Sequence, residues 1–297
     1  MNTATLARSD SLIGTAVPAD TFILLETPLP WDKPALLSPG IPESMRQVVR
    51  PLLKAGVRVH LIANEQTSAQ GQRQILIFER DRSRMLHRAY KTWEIRVDRP
   101  EAMAPALTAF FNAKADRSKP SNGQRHLMIC THASHNECCG IYGYPFYRDA
   151  IATIQQLGLQ VQPWQISHIG GHRFAPTLID FPQGRYYGNL DREALLCLLQ
   201  QQGNIEPLLS TYRGWSLLPK PLQILEAELL REYQWDWLQG RVDGRILKQH
   251  QGHLWAELWV KLPRHPQLHY VAEFENNRLL HYQLESGLAL SLQRKTG

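Results

Sequence analysis

Short apolar runs bounded by Pro, Gly and Asp set the rhythm of this chain, with helically spaced stretches between them. "TFILLET" (21–27) reads as a buried strand. "PESMRQVVRPLLKAG" (42–56) reads as a helix stopped by Gly56, with Pro51 expected to kink or split it. Strands follow at 57–63, 73–79 and 92–97, the first two separated by the polar loop "NEQTSAQGQ". Residues 100–114 make a helix that opens with Pro at its first position. "ADRSKPSNGQ" (115–124) is the strongest linker pattern in the chain.

Beyond it, "HLMIC" (126–130) is a short strand that runs into a cysteine-bearing loop. A helix spans 144–158, and a strand at 159–167 delivers His168. Residues 177–190 read as a hairpin turned through "PQG". Residues 191–203 form a helix with Asp191 as N-cap and Gly203 as stop. The last part holds a helix at 221–233 and alternating segments at 253–262 and 268–276, the mark of a small antiparallel region. Trp235, Trp237, Trp255 and Trp259 read as core or interface rather than as a platform for bases. The residues show no internal repeat.

Composition narrows the class. At 297 residues, with 43% hydrophobic and 20% charged, the chain has the make-up of a soluble globular protein of one large domain or two to three small ones. The net charge of +6 is scattered, so no nucleic-acid partner is expected. No stretch has the length of a signal-peptide core or a membrane span. Cys130, Cys138 and Cys139 cluster while Cys197 stands apart, unlike a secreted disulfide framework. A reducing, cytoplasmic location and a metal or redox role follow as expectations.

Two thiols followed by two imidazoles suit zinc or an iron–sulfur cluster. Eight residues separate Cys130 from Cys139, and a helix and a strand lie between the cysteines and His168/His172, which weakens a zinc-finger reading. Gly170 and Gly171 inside the H-x3-H pattern disfavour a helix, and Ile169 replaces the Glu of a zinc protease. A Rieske box fails too: Cys130-Thr131-His132 copies half of it, but neither Cys139 nor Cys197 is followed by His at the third position.

"CTHASHNECCGIYGYPFYRDA", "SHIGGHRFAPTLIDFPQGRYYGNL" and the upstream "LIGTAVPADTFILLETPLPW" resemble the sucrase/ferredoxin-like family, related to thioredoxin-like [2Fe–2S] ferredoxins, from about residue 10 to about 235. In those ferredoxins two cysteines of one loop and a C-x3-C pair of a second hold the cluster. Here H-x3-H stands in place of the second pair. The resemblance implies ligation by Cys130, Cys139, His168 and His172, with adjacent Cys138 an alternative to Cys139. His132 and His135 are near enough to be spare ligands or supporting donors, and Cys197 lies in the apolar pattern of a helix.

The expected architecture is α/β: an N-terminal α/β portion (1–118), a thioredoxin-like ferredoxin domain (119–215), and a C-terminal helix with a small antiparallel β region (216–297). The expected function is one-electron transfer or redox sensing through one [2Fe–2S] cluster, with an unknown redox partner protein and no membrane. The alternative is a structural zinc-binding interaction module with the same ligands. A thiol enzyme is weakest, because the chain lacks C-x-x-C, and no carboxylate pair marks a sucrose hydrolase.

Overall fold

The computed structural model describes residues 12–64, 72–112 and 123–285. Among the described residues thirteen strands divide between a nine-stranded mixed sheet and a separate four-stranded one, so the chain is an α/β protein. In chain order the large sheet receives β1 (Thr21–Glu26), β2 (Arg58–Ala63), β3 (Arg73–Glu79), β4 (Lys91–Val97), β5 (Arg125–Cys130), β6 (Val161–Ile166), β7 (Leu178–Phe181), β8 (Arg185–Tyr187) and β9 (Tyr212–Trp215). Its spatial order is β4-β3-β1-β2-β6-β5-β7-β8-β9.

The order contains a topological repeat that no residue pattern announces. β1 lies between parallel β2 and antiparallel β3, with β4 outside β3. β5 lies in the same way between parallel β6 and antiparallel β7, with β8 outside β7. Helix α1 (Glu43–Lys54) crosses from β1 to β2, as α3 (Tyr144–Gln156) crosses from β5 to β6. Helices α2 (Met103–Asn112) and α4 (Arg192–Gln200) follow the fourth strand of each set. Each set has the order of a thioredoxin-like unit, and the two join where β2 pairs antiparallel with β6.

β1 is apolar from Phe22 to Leu25 because both its faces are covered. Ile23 and Leu25 meet Met45 and Val49 of α1 and Met103 and Leu107 of α2. Phe22 and Leu24 face the main core with Phe181, Trp164 and Tyr147. The short helix α5 (Glu206–Leu209) precedes β9, and α6 (Lys220–Gln239) lies between the two sheets, its Leu222, Leu225 and Leu229 sharing a core with Ala256, Leu258 and Phe274. β10 (Arg241–His250), β11 (His253–Lys261), β12 (Gln267–Glu275) and β13 (Arg278–Leu284) form the antiparallel second sheet. A buried ion pair, Arg185 to Glu226 at 2.7 Å, ties the large sheet to α6, and Tyr212 also donates to Glu226.

Several local expectations need correction. Pro51 neither kinks nor splits α1: it falls in the last turn, and Ala55 N–H still reaches the Pro51 carbonyl. Helix α4 is capped at its start by Asp191, which accepts from Ala194 N–H at 2.8 Å. It ends at Gln201, in a left-handed conformation, rather than at Gly203. Helix α6 runs past 233 to Gln239, broken at Gln234. Trp237 is fully buried, whereas Trp255 and Trp259 lie half-buried on the outer face of the small sheet, stacked on His253 and His269. Most of the expected linker and most of the loop after Ala63 lie outside the described residues.

His126 on β5 is 5% exposed and accepts from Trp164 Nε1 at 3.2 Å, so it is neutral in the fold. Burial pushes it down from its ordinary 6.5 to about 4. Between those values the unfolded chain binds a proton that the folded chain excludes, so stability must fall as pH drops through that window. The full effect is on the order of 3 kcal/mol. Urea denaturation at pH 7.5 and 4.5 should show His126→Gln, which can still accept from Trp164, losing about 2 kcal/mol less than the parent over this interval. Equal losses would mean that His126 does not carry the penalty.

Candidate metal centre

Parallel strands leave their connecting loops at the carboxyl ends, where α/β sheets place ligands. β5 ends at Cys130 and β6 ends two residues before His168, and the two strands are parallel neighbours. The β5 loop folds back through His132: its carbonyl accepts from the N–H groups of His135 and Asn136. The Asn136 side chain accepts from Cys138 N–H at 3.0 Å. A π turn, Cys139–Gly143, then carries Cys139 directly into α3. Such turns recur at functional sites. The sequence does not announce this one, because Gly140 and Gly143 read as loop residues.

Gly143 shows why the turn fits. A Cβ there would lie 2.0 Å from the Cys130 carbonyl oxygen, so only a residue without one lets the start of the helix approach that strand end. On the other loop, Gly170 and Gly171 take φ of +84° and +78°, which turn the chain between His168 and His172.

Cys130, Cys139 and His168 offer ligand atoms that all lie within 4.8 Å of one another, and this group could hold a metal ion. Cys139 Sγ is 3.6 Å from His168 Nδ1. His172 is exposed at the rim, its ring centroid 6.0 Å from that of His168, and is not part of the convergent three. Cys138 is half-buried and also outside the group. Cys197 is buried on α4, where its thiol meets the Asn204 carbonyl.

The thiols are electrostatically unequal. Donation from Cys139 pulls the Cys130 thiol well below its ordinary range against the cost of burial, helped by His168 and the His132 backbone. Cys139 is pushed up by the same contact and by its own burial. A metal ion would take these sulfurs as thiolates, so any proton left on either would have to leave. Burial keeps His60, His132 and His135 below the ordinary histidine range, His60 at about 3; neighbouring positive charge adds to it at His60 and His135, and the Asp32 carbonyl opposes it at His132. Neutral imidazoles are the form that ligates or supports a metal.

Residues distant in sequence frame the group. His132 Nδ1 accepts from His168 N–H at 3.2 Å, which makes its Nε2 the donor to the Asp32 carbonyl at 3.0 Å. Trp31 meets the His132 ring edge-on, and its carbonyl accepts from Ser134. His135 stacks on His168 at 3.9 Å between centroids. His132 and His135 are thus supports rather than members of the convergent group. Asp32, His60 and Arg213 carry no motif, whereas Trp31 closes the upstream stretch that resembles the family and His60 is a polar residue within the strand "VRVHLIA".

Residues 12–214, more than half of the chain, match the sucrase/ferredoxin-like family. The chain belongs to the sucrase/ferredoxin-like family. Within it, one relative is "Altered inheritance of mitochondria protein 32" of Meyerozyma guilliermondii, 30% identical over 97 residues. That alignment covers 30% of this chain and 34% of the fungal protein, so the chain spans about a third of the length of the relative it matches. No solved structure matches. Among the described residues no helix is long and apolar enough to cross a membrane.

If Gly143 sets the approach of the two cysteine-bearing segments, Gly143→Ala should lower stability by more than the roughly 1–3 kcal/mol of ordinary overpacking and weaken metal retention. Gly158→Ala, at a positive φ with open space around it, should cost about 1–2 kcal/mol and leave metal retention unchanged. Thermal melts with metal analysis make the comparison. Equal behaviour of the two variants would show that the close approach relaxes freely.

Proposed function

We propose that this member of the sucrase/ferredoxin-like family binds one [2Fe–2S] cluster through Cys130, Cys139, His168 and His172 and passes single electrons to and from a partner protein. The observation that carries the reading is the convergence of Cys130, Cys139 and His168 at two adjacent strand ends. The donor chemistry fits: thiolates hold iron–sulfur clusters, and paired imidazoles replace two of them in known centres. When bound, such a cluster would supply the one-electron couple. The protein's share is to bury Cys130 and Cys139, hold the His168 backbone through His132, and leave His172 at the surface. Ile141, Tyr142 and Tyr144, exposed just after Cys139, supply apolar surface suited to a transient partner.

One observation favours a second reading. Zinc bond lengths place tetrahedral sulfur and nitrogen ligands about 3.5 Å apart, close to the 3.6 Å between Cys139 Sγ and His168 Nδ1. A single zinc ion in a structural module would use the same residues. Protein purified without oxygen decides between them: two irons and two labile sulfides per chain, with colour that bleaches on reduction, support the cluster. One zinc and no sulfide would refute it.

Ligand identity has its own test. Cys139→Ser should abolish the metal centre, whereas Cys138→Ser should leave iron and sulfide content near that of the parent. The reverse outcome would move the second thiolate to Cys138.

A further inference from the structure

Three arginines lie largely within the fold around the second thioredoxin-like unit, and two have a carboxylate. Arg125 makes a two-pronged contact with Asp180 at 2.9 and 2.8 Å, and Arg185 meets Glu226 at 2.7 Å. Arg213, on β9, is 1% exposed, and among the described residues no carboxylate pairs with it. Its contacts are neutral. Nε donates to Thr15 Oγ1 at 3.0 Å, one terminal nitrogen to the Thr15 carbonyl at 3.0 Å, and the other to the Gly170 carbonyl at 3.1 Å. The rings of Tyr186 and Phe174 complete its surroundings at 5.5 and 5.7 Å. A buried charge without a partner is costly enough that a fold keeps one only where something offsets it.

Its position shows what that is. A Cβ on Gly171 would lie 2.7 Å from the guanidinium, so Arg213 lies directly against the glycine pair between His168 and His172. The guanidinium is thus fixed against the loop that carries both histidines of the site.

We propose that Arg213 is the counter-charge and positioning residue of the metal centre: it fixes the His168–His172 loop through Gly170 and favours the reduced, more negative state of the cluster. The proposal rests on the cluster reading above. Two ferric irons, two sulfides, two thiolates and two neutral imidazoles sum to zero charge. One electron taken from an external one-electron donor leaves the centre with one negative charge and breaks no bond. A fixed guanidinium stabilises that added charge, so the centre accepts the electron more readily with Arg213 than without it.

The test is a dye-mediated dithionite titration of the full chain carrying its cluster, with iron and sulfide measured on each sample. Arg213→Gln should shift the reduction equilibrium at least tenfold toward the oxidised form, 59 mV for a one-electron couple. Arg213→Lys, which keeps the charge and loses the fork, should recover most of the shift. Thr15→Asp places a carboxylate beside an unaltered Arg213 and should lower the potential in the same direction, which settles the matter if Arg213→Gln fails to hold its cluster. Cluster-loaded Thr15→Asp or Arg213→Gln protein with the parent's potential would overturn the role of Arg213 alone. A parent protein that holds zinc and no sulfide would overturn the cluster reading and, with it, this one.

Discussion

Strands β2 and β6 meet over two residue pairs, Ile62 with Ile166 and Ala63 with Gln165, at the carboxyl ends of both. The short seam decides where everything else falls. It is extended by Ser167, whose N–H donates to the Leu61 carbonyl and whose hydroxyl accepts from Leu61 N–H. The Asn64 side chain reaches back to the Pro163 carbonyl. Because the strands run antiparallel and overlap at their carboxyl ends, the loops leaving both thioredoxin-like units converge on one place. Trp31 and Asp32 can therefore clasp His132 from the other unit. A register slip of one residue would turn His60 and Ile62 to the opposite face and part His60 from the histidines it now faces.

That convergence also explains the electrostatic character of the centre. Cys130 is held low and Cys139 high, His132 is buried in the same loop, and a guanidinium with no carboxylate partner among the described residues packs against the glycine loop. Each feature is unfavourable when considered alone, since buried polar groups stabilise a fold only when they are satisfied. Together they make a place that could hold a metal ion. The surrounding apolar wall, with Ile166, Tyr147 and Phe146 in one core with both cysteines, strengthens every one of these interactions by excluding water.

The parts of this arrangement that were legible in the residues are the local ones. Apolar runs gave the strands that end at Cys130 and before His168, and the glycines between the histidines excluded a helix, as their positive φ requires. What escaped was long-range or set by backbone geometry. His132 meets Asp32 across 100 positions, and Arg213 meets Thr15 across 198. Arg213 also stands on β9, a four-residue strand too short to show alternation against its neighbours. The π turn was hidden because its glycines are selected by the closeness of the Cys130 carbonyl, a contact no local pattern encodes. The topological repeat was invisible because backbone pairing can recur while the side chains diverge.

The divergence between the two units has a chemical consequence. At the end of β5 and after it the chain supplies Cys130, His132, Cys138 and Cys139, whereas after the corresponding β1 it supplies Trp31, Asp32 and Lys33. All four cysteines lie beyond residue 129, so the first unit has no thiol with which to build a matching centre. Its loop presents backbone carbonyls and an indole instead, and these meet His132 and Ser134. Carbonyls at that position accept from an imidazole N–H without adding charge, whereas Lys33 Nζ brings one by donating to the His135 carbonyl at 3.2 Å. The same supersecondary framework is thereby used once to supply donor atoms and once to hold and cover them.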